Sequence, residues 1–120
     1  MKLTEKEFEV MLVLWKSETP MTSGDIVRAS ENRTWQPHSI FSMMKLLLAK
    51  GLVAFSHYEP TTSRFAMAFK PTFTPEEYYA RHASAFMDRF GAGGVNVDIL
   101  VKEIKKVRKQ REAEEAEEKE

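Results

Sequence analysis

The sequence contains no cysteine. This excludes disulfide frameworks, thiolate metal sites and cysteine nucleophiles together, and points to a cytoplasmic protein. It also has no apolar run of the length a bilayer requires. The stretch from Met1 to Trp15 interleaves Lys2, Glu5, Lys6, Glu7 and Glu9 with its apolar residues, so neither a membrane span nor a signal peptide is expected there. Histidine is scarce, and His57 and His82 lack partners at metal-ligand spacing, so no metal site is expected. The glycines Gly91, Gly93 and Gly94 read as a helix break and not as a phosphate loop, because no strand precedes them and no Lys-Ser/Thr follows. No local motif suggests a Ser-His-Asp triad. The expectation is a protein that is not an enzyme and uses no cofactor.

The 120 residues leave room for one ordinary domain, or for a unit of about 70 residues with a helical appendage. A unit of that size is marginal alone, and burial against a partner chain would help it. The formal net charge of zero conceals a division along the chain. Residues 1–75 carry +2, residues 76–111 carry +3, and the Glu-rich residues 112–120 carry −5. The first two-thirds are weakly basic, a modest charge for a partner of phosphates.

Three helix starts share one grammar: an apolar residue, a capping hydroxyl, an acid three residues later, then another apolar residue. They are Leu3-Thr4 with Glu7-Phe8, Met21-Thr22 with Asp25-Ile26, and Phe73-Thr74 with Glu77-Tyr78, the last with Pro75 at the first helical position. The first helix is expected to bury Phe8, Met11, Leu12 and Trp15, and the second to run to about Asn32. A third begins after Trp35-Gln36-Pro37, with Trp35 stapled onto Ile40. Its stripe of Ile40, Met43, Met44, Leu47 and Leu48 ends at Gly51. His38, Ser42, Lys45 and Ala49 lie opposite that stripe, flanked by Ser39 and Phe41.

Two short segments follow, Val53 to Tyr58 and Arg64 to Lys70, around a five-residue tip. In the second, Phe65, Met67 and Phe69 alternate with Ala66 and Ala68, a strand period. Helix, helix, helix, strand, strand is the order of a winged helix-turn-helix, and residues 1–72 supply one with little left over. Beyond it, residues 73–111 are helical. Tyr78, Phe86 and Phe90 share a face before the glycine break, and Leu100, Ile104 and Val107 share one in a last helix that starts near Asn96. A winged helix with its own core leaves these stripes uncovered, so they read as a dimerisation arm. Residues 112–120 are expected to be a disordered acidic tail. The fold class is thus mainly α: a winged helix-turn-helix followed by a two-helix dimerisation arm.

The chain resembles the penicillinase and methicillin-resistance repressors and the related copper-responsive repressors of bacteria. The likeness covers roughly residues 3 to 100. It rests on Leu3-Thr4 with Glu9-Val10-Met11 and Leu14-Trp15, on Thr22 with Asp25-Ile26, on Trp35 and Pro37 before Ile40, Met43, Leu47 and Lys50-Gly51, and on Phe69-Lys70-Pro71, Phe86, Phe90 and Gly91. The resemblance implies a homodimeric transcriptional repressor whose third helix enters the major groove of an inverted-repeat operator in double-stranded DNA. It also implies that His38, Ser39, Phe41 and Ser42 face bases, with Lys45 or Leu46 near the backbone and Arg64 on the wing. His and Ser can hydrogen-bond base edges, Phe41 can touch a thymine methyl, and Lys45 and Arg64 can meet phosphates. Thr22 and Ser23, at a helix start, would add amide contacts to phosphate.

The chain departs from these relatives in three ways. Phe41 and Leu46 stand where they commonly carry basic or amide side chains. No asparagine-aromatic pair near Leu100 matches the site at which inducible members are cleaved, and the cysteines of copper-responsive members are absent, so no inducer is identified. The apolar Phe41 and Leu46 also fit an alternative, a winged-helix adaptor that binds protein and does not depend on DNA. A plainer alternative makes His38, Ser39, Ser42 and Lys45 a merely solvated face. Trp15 and Trp35, at stripe and staple positions, read as core residues and not as ligand-stacking ones.

Overall fold

The computed structural model describes residues 3–89 and 94–118. Among them are five α-helices and three strands. The chain divides into two compact units, residues 1–79 and 80–120.

Helix α1 (Glu5–Lys16) opens where the capping grammar places it. The Glu7 amide donates to Thr4 Oγ1 at 3.1 Å and the Thr4 amide donates to Glu7 Oε1 at 2.9 Å. The same reciprocal pair forms between Thr22 and Asp25, opening α2 (Ser23–Ala29). It forms again between Thr74 and Glu77. In α1 the fully buried face is Val10, Met11 and Leu14 together with Glu7, while Phe8, Leu12 and Trp15 are half-buried. The stripe is therefore rotated from the expected one. Helix α2 stops three residues short of Asn32. There the Ser30 hydroxyl donates to the Ile26 carbonyl at 2.7 Å and caps the end.

Gln36 makes no side-chain cap, and the chain enters the third helix through a 3-10 turn, Pro37–Ser39, before α3 (Ile40–Ala49). Its end is a Schellman arrangement: Gly51 has φ +73°, its amide donates to Leu48 O, and the Leu52 amide donates to Leu47 O. The positive φ is what favours glycine there, since L side chains rarely adopt it; a Cβ would meet no neighbour.

Strands β2 (Val53–Pro60) and β3 (Phe65–Pro71) form the expected hairpin, with a tip of four residues instead of five. The Thr61 amide and hydroxyl both donate to the Arg64 carbonyl at 2.6 Å and close the turn. A bulge at Ser56 shifts the register from Phe55↔Phe69 to His57↔Ala68 and brings the Phe55 and Tyr58 rings within 4.9 Å. A two-residue strand that the sequence pattern does not reveal, β1 (Met21–Thr22), pairs with the other edge of β3 and gives the order β1-β3-β2. The core gathers Val10, Met11, Leu14, Ile26, Ile40, Leu47, Leu52 and Phe69. With three helices and this small sheet, the first unit is a winged helix.

Tyr78 corrects the domain boundary. It lies in the first turns of α4 (Pro75–Arg89) and is buried in the core of the first unit. The staple between the residue before Thr74 and the fourth residue of the helix puts Phe73 and Tyr78 at 5.9 Å. Both rings meet Trp15, at 5.6 and 5.8 Å, and Tyr78 also meets Phe8 at 5.7 Å. The Trp15 indole donates to the Phe73 carbonyl at 2.9 Å. Tyr78 is thus a core residue of its own chain and not part of a dimer surface, and the winged-helix unit extends to Tyr79 rather than to residue 72.

The last helix, α5 (Val97–Glu118), is capped by Asn96, whose Oδ1 accepts from the Ile99 amide at 3.1 Å. It runs past Glu112, where the acidic composition predicts disorder; Glu and Ala are strong helix formers, and here they extend the helix instead. Of the expected glycine break only Gly94 lies among the described residues, with φ +86°. No helix among them is long and apolar enough to cross a membrane.

Candidate nucleic-acid interface

Helix α3 presents two opposite faces. Ile40, Met43, Met44 and Leu47 are buried, while His38, Phe41, Ser42, Lys45 and Leu46 are exposed and Ser39 is half-buried. Phe41 is 71% exposed and Leu46 is 54% exposed. Helical periodicity therefore places four of the expected base- or backbone-facing residues, His38, Phe41, Ser42 and Lys45, on the solvent side of the helix, with the exposed Leu46 on the far flank.

The segment leading into α3 is fixed from several sides. Trp35 is buried at its base, with the Arg33 guanidinium over its ring at 5.8 Å. Arg33 also donates to the Ser30 carbonyl at 3.2 Å. The Thr34 amide donates to Glu9 Oε1 at 3.1 Å, and its hydroxyl donates to the other oxygen of the same carboxylate. At the far end, the Lys50 ammonium reaches Glu7. The turn between α2 and α3 is thereby tied to α1, which holds the exposed face of α3 in one orientation.

The positive charges of this surface are few. Lys45 and Arg64 are both exposed, and neither forms an ion pair among the described residues. Arg64 stands at the hairpin tip, where the Thr61 bonds fix its backbone. The wing beside it is apolar: Phe65 is 70% exposed, and Phe55, Tyr58 and Met67 lie on the same face. Of the alternating Phe65, Met67 and Phe69, only Phe69 reaches the core.

The structure does not support Thr22 as a phosphate contact. Its residue is buried, its hydroxyl accepts from the Asp25 amide, and its backbone pairs with Ala68. The Asp25 carboxylate occupies the start of α2. The Thr22 amide holds its pKa below the usual carboxylate value; partial burial opposes this, and the Thr22 hydroxyl and Arg28 add to it. A negative charge therefore sits where phosphate was expected, next to the half-buried Ser23.

In the second unit, Phe86, Ile104 and Val107 are half or more exposed and Leu100 is half-buried. Val97 and Val101 extend the same stripe along α5. Phe90, expected beside Phe86, lies outside the described residues.

With the winged helix and its exposed third-helix face described, comparison with known proteins agrees with the sequence resemblance. The penicillinase repressor family model matches residues 3–118. The penicillinase repressor of Bacillus licheniformis is 28% identical over 99 residues, covering 82% of this chain and 73% of that protein. Among solved structures, the ferric uptake regulator of Helicobacter pylori aligns with 80% of this chain and 74% of its own, at 13% identity and a TM-score of 0.42. The match over nearly the whole chain decides the assignment: this protein belongs to the penicillinase repressor family, whose members are DNA-binding transcriptional regulators and not enzymes.

Proposed function

We propose that the protein is a homodimeric repressor that binds an inverted-repeat operator in double-stranded DNA, with α3 of each copy in a major groove. The observation that carries this reading is the two-sided α3. One stripe is locked into the core by Ile40, Met43 and Leu47, and the other offers His38, Ser39, Phe41, Ser42 and Lys45 to a groove. Lys45 and the wing residue Arg64 would supply phosphate contacts. Phe86, Leu100, Ile104 and Val107 would supply the self-association that an inverted repeat demands. Family membership favours this reading over a protein-binding adaptor.

The test is selection of bound duplexes from random double-stranded DNA, followed by titration at several salt concentrations. The expected outcome is a palindrome with half-sites about one helical turn apart or slightly more. Affinity should fall with salt, and Lys45→Ala or Arg64→Ala, each of which removes one phosphate contact from both protomers, should weaken binding and reduce the slope by about two. Absence of any enriched sequence, or binding indifferent to salt, would overturn the proposal.

A further inference from the structure

We infer that Phe41 reads the 5-methyl group of a thymine in each half-site, and that this apolar contact contributes to the protein's sequence discrimination. The inference rests on the reading of α3 as a major-groove helix and specifies what it recognises.

The edges of base pairs in the major groove present hydrogen-bond acceptors, donors and a single apolar group, the C5-methyl of thymine. Paired hydrogen bonds identify the other features: Arg or Lys on guanine, Asn or Gln on adenine, and Asp or Glu on cytosine. From Pro37 to Ala49 this chain has no Arg, Asn, Gln, Asp or Glu. Its polar groups there are His38, Ser39, Ser42 and Lys45. Serine bonds to donors and acceptors alike and separates bases poorly, the His38 imidazole presents a single ring nitrogen to a base edge and makes no paired bond, and a lysine ammonium supplies charge with little planar selectivity. The polar inventory of the helix is therefore thin in discriminating power.

Phe41 supplies what that inventory lacks. It is 71% exposed and sits in the first turn of α3, the part of a recognition helix that goes deepest into the groove. At about 100° per residue it lies roughly 40° around the helix from Lys45, so a helix anchored by Lys45 on phosphate carries the ring in with it. A phenyl ring pressed on a polar base edge strips water from donors and acceptors and returns no bond. Against a thymine methyl it buries apolar surface on both sides. The same side chain thus penalises the wrong base and rewards the right one. Leu46, about 140° from Phe41 and more than a turn further on, belongs to the opposite flank and serves as an internal control.

The test uses the full chain and the duplex that it enriches from random DNA. Each thymine is replaced in turn by deoxyuridine, which removes only the methyl, and the dissociation constant is measured for the wild-type, Phe41→Ala and Leu46→Ala proteins. At one symmetry-related thymine per half-site, deoxyuridine should weaken wild-type binding by about three- to fivefold. Phe41→Ala should bind thymine and deoxyuridine duplexes equally, while Leu46→Ala should keep the wild-type ratio. Deoxyuridine without effect at every position, or a Phe41→Ala protein with the wild-type ratio, would overturn the inference while DNA binding itself stands. If no duplex is enriched, the reading of α3 falls, and the inference with it. Phe41 is exposed, so its truncation leaves the core intact, and the deoxyuridine series on the wild-type protein needs no variant at all.

Discussion

Lys50, at the C-terminal end of α3, places its ammonium 2.9 and 3.0 Å from the two carboxylate oxygens of Glu7, in the first turn of α1. The Glu7 side chain is 4% exposed and also accepts from the Thr4 amide. One carboxylate thus caps a helix and anchors the end of another that is 43 residues away in sequence. Replacing Lys50 by Met should leave this carboxylate buried without its cation. Because Lys50 is itself 41% exposed and water reaches the pair, the expected loss is about 1 to 2 kcal/mol, below that of a fully buried pair. Urea unfolding monitored by circular dichroism measures it, and an unchanged midpoint would show that the Lys50–Glu7 pair does not stabilise the fold.

The same carboxylate sets a pH dependence. Burial pushes the Glu7 pKa up, but the Thr4 amide, the Lys50 ammonium and the Thr4 hydroxyl together outweigh it and hold it below its ordinary value of 4.5. A carboxyl whose pKa is lower in the folded state contributes stability that is fully present above the unfolded value and is lost as pH falls through the folded one. Asp25, also held below its ordinary value of 3.8, acts in the same direction. Stability should therefore drop on acidification below about pH 4.5, and Glu7→Gln should make that acid limb shallower. Thermal melting from pH 2 to 7 checks this; parallel curves for wild type and variant would contradict it.

Trp35 carries the opposite kind of polar burial. Its indole N–H is buried with no acceptor among the described residues, while the ring lies in the core below the entry to α3. Trp35→Phe removes an unsatisfied donor, a gain of about 1 to 3 kcal/mol that offsets the smaller ring. The variant should fall within about 1 kcal/mol of wild type, whereas Trp35→Ala should lose about 3 to 5 kcal/mol. If Phe proves as damaging as Ala, the indole N–H has a partner, such as a buried water.

Residues 1–79 should fold as an independent unit, and residues 1–72 should not. The shorter fragment lacks Phe73 and Tyr78, removes the carbonyl that accepts from Trp15, and uncovers the Phe8 and Trp15 rings. The expected difference is about 3 kcal/mol or more, the cost of deleting large core aromatics. Amide exchange on the two fragments decides it, and equal protection would return the boundary to residue 72.

What could be read from the chain and what could not follow from how local the forces are. The caps at Thr4, Thr22 and Thr74 close within four residues, so spacing alone reveals them. The two faces of α3 follow from one helical period. Tyr78 is not legible as a core residue, because an apolar residue on a helix looks the same whether its own chain or another copy covers it; only the position of Trp15, far away in sequence, distinguishes the two. Strand β1 is too short for any alternation to show, and the bulge at Ser56 arises from pairing with β3. Thr22 illustrates a conflict between roles: as cap and strand residue, its groups are spent within the fold and are not available to phosphate.

With Tyr78 assigned to the core, the proposed self-association rests on α5 and Phe86. Val97, Leu100, Val101, Ile104 and Val107 recur at three- and four-residue spacing along one side of α5, and most are about half exposed in the single chain. Such a stripe is costly in water and ends at Val107, where charged residues take over. Ile104→Asp, near the centre of the stripe, should therefore convert the protein to a monomer without unfolding residues 1–79. Deletion of residues 112–120 should leave the dimer intact. Sedimentation equilibrium reads both association states, and circular dichroism checks that residues 1–79 stay folded in the Ile104→Asp chain. An inverted repeat demands two α3 helices at once, so the monomer should bind a full operator no better than a half-site. A wild-type chain that sediments as a monomer, or an Ile104→Asp chain that still dimerises, would show that the stripe is covered in some other way.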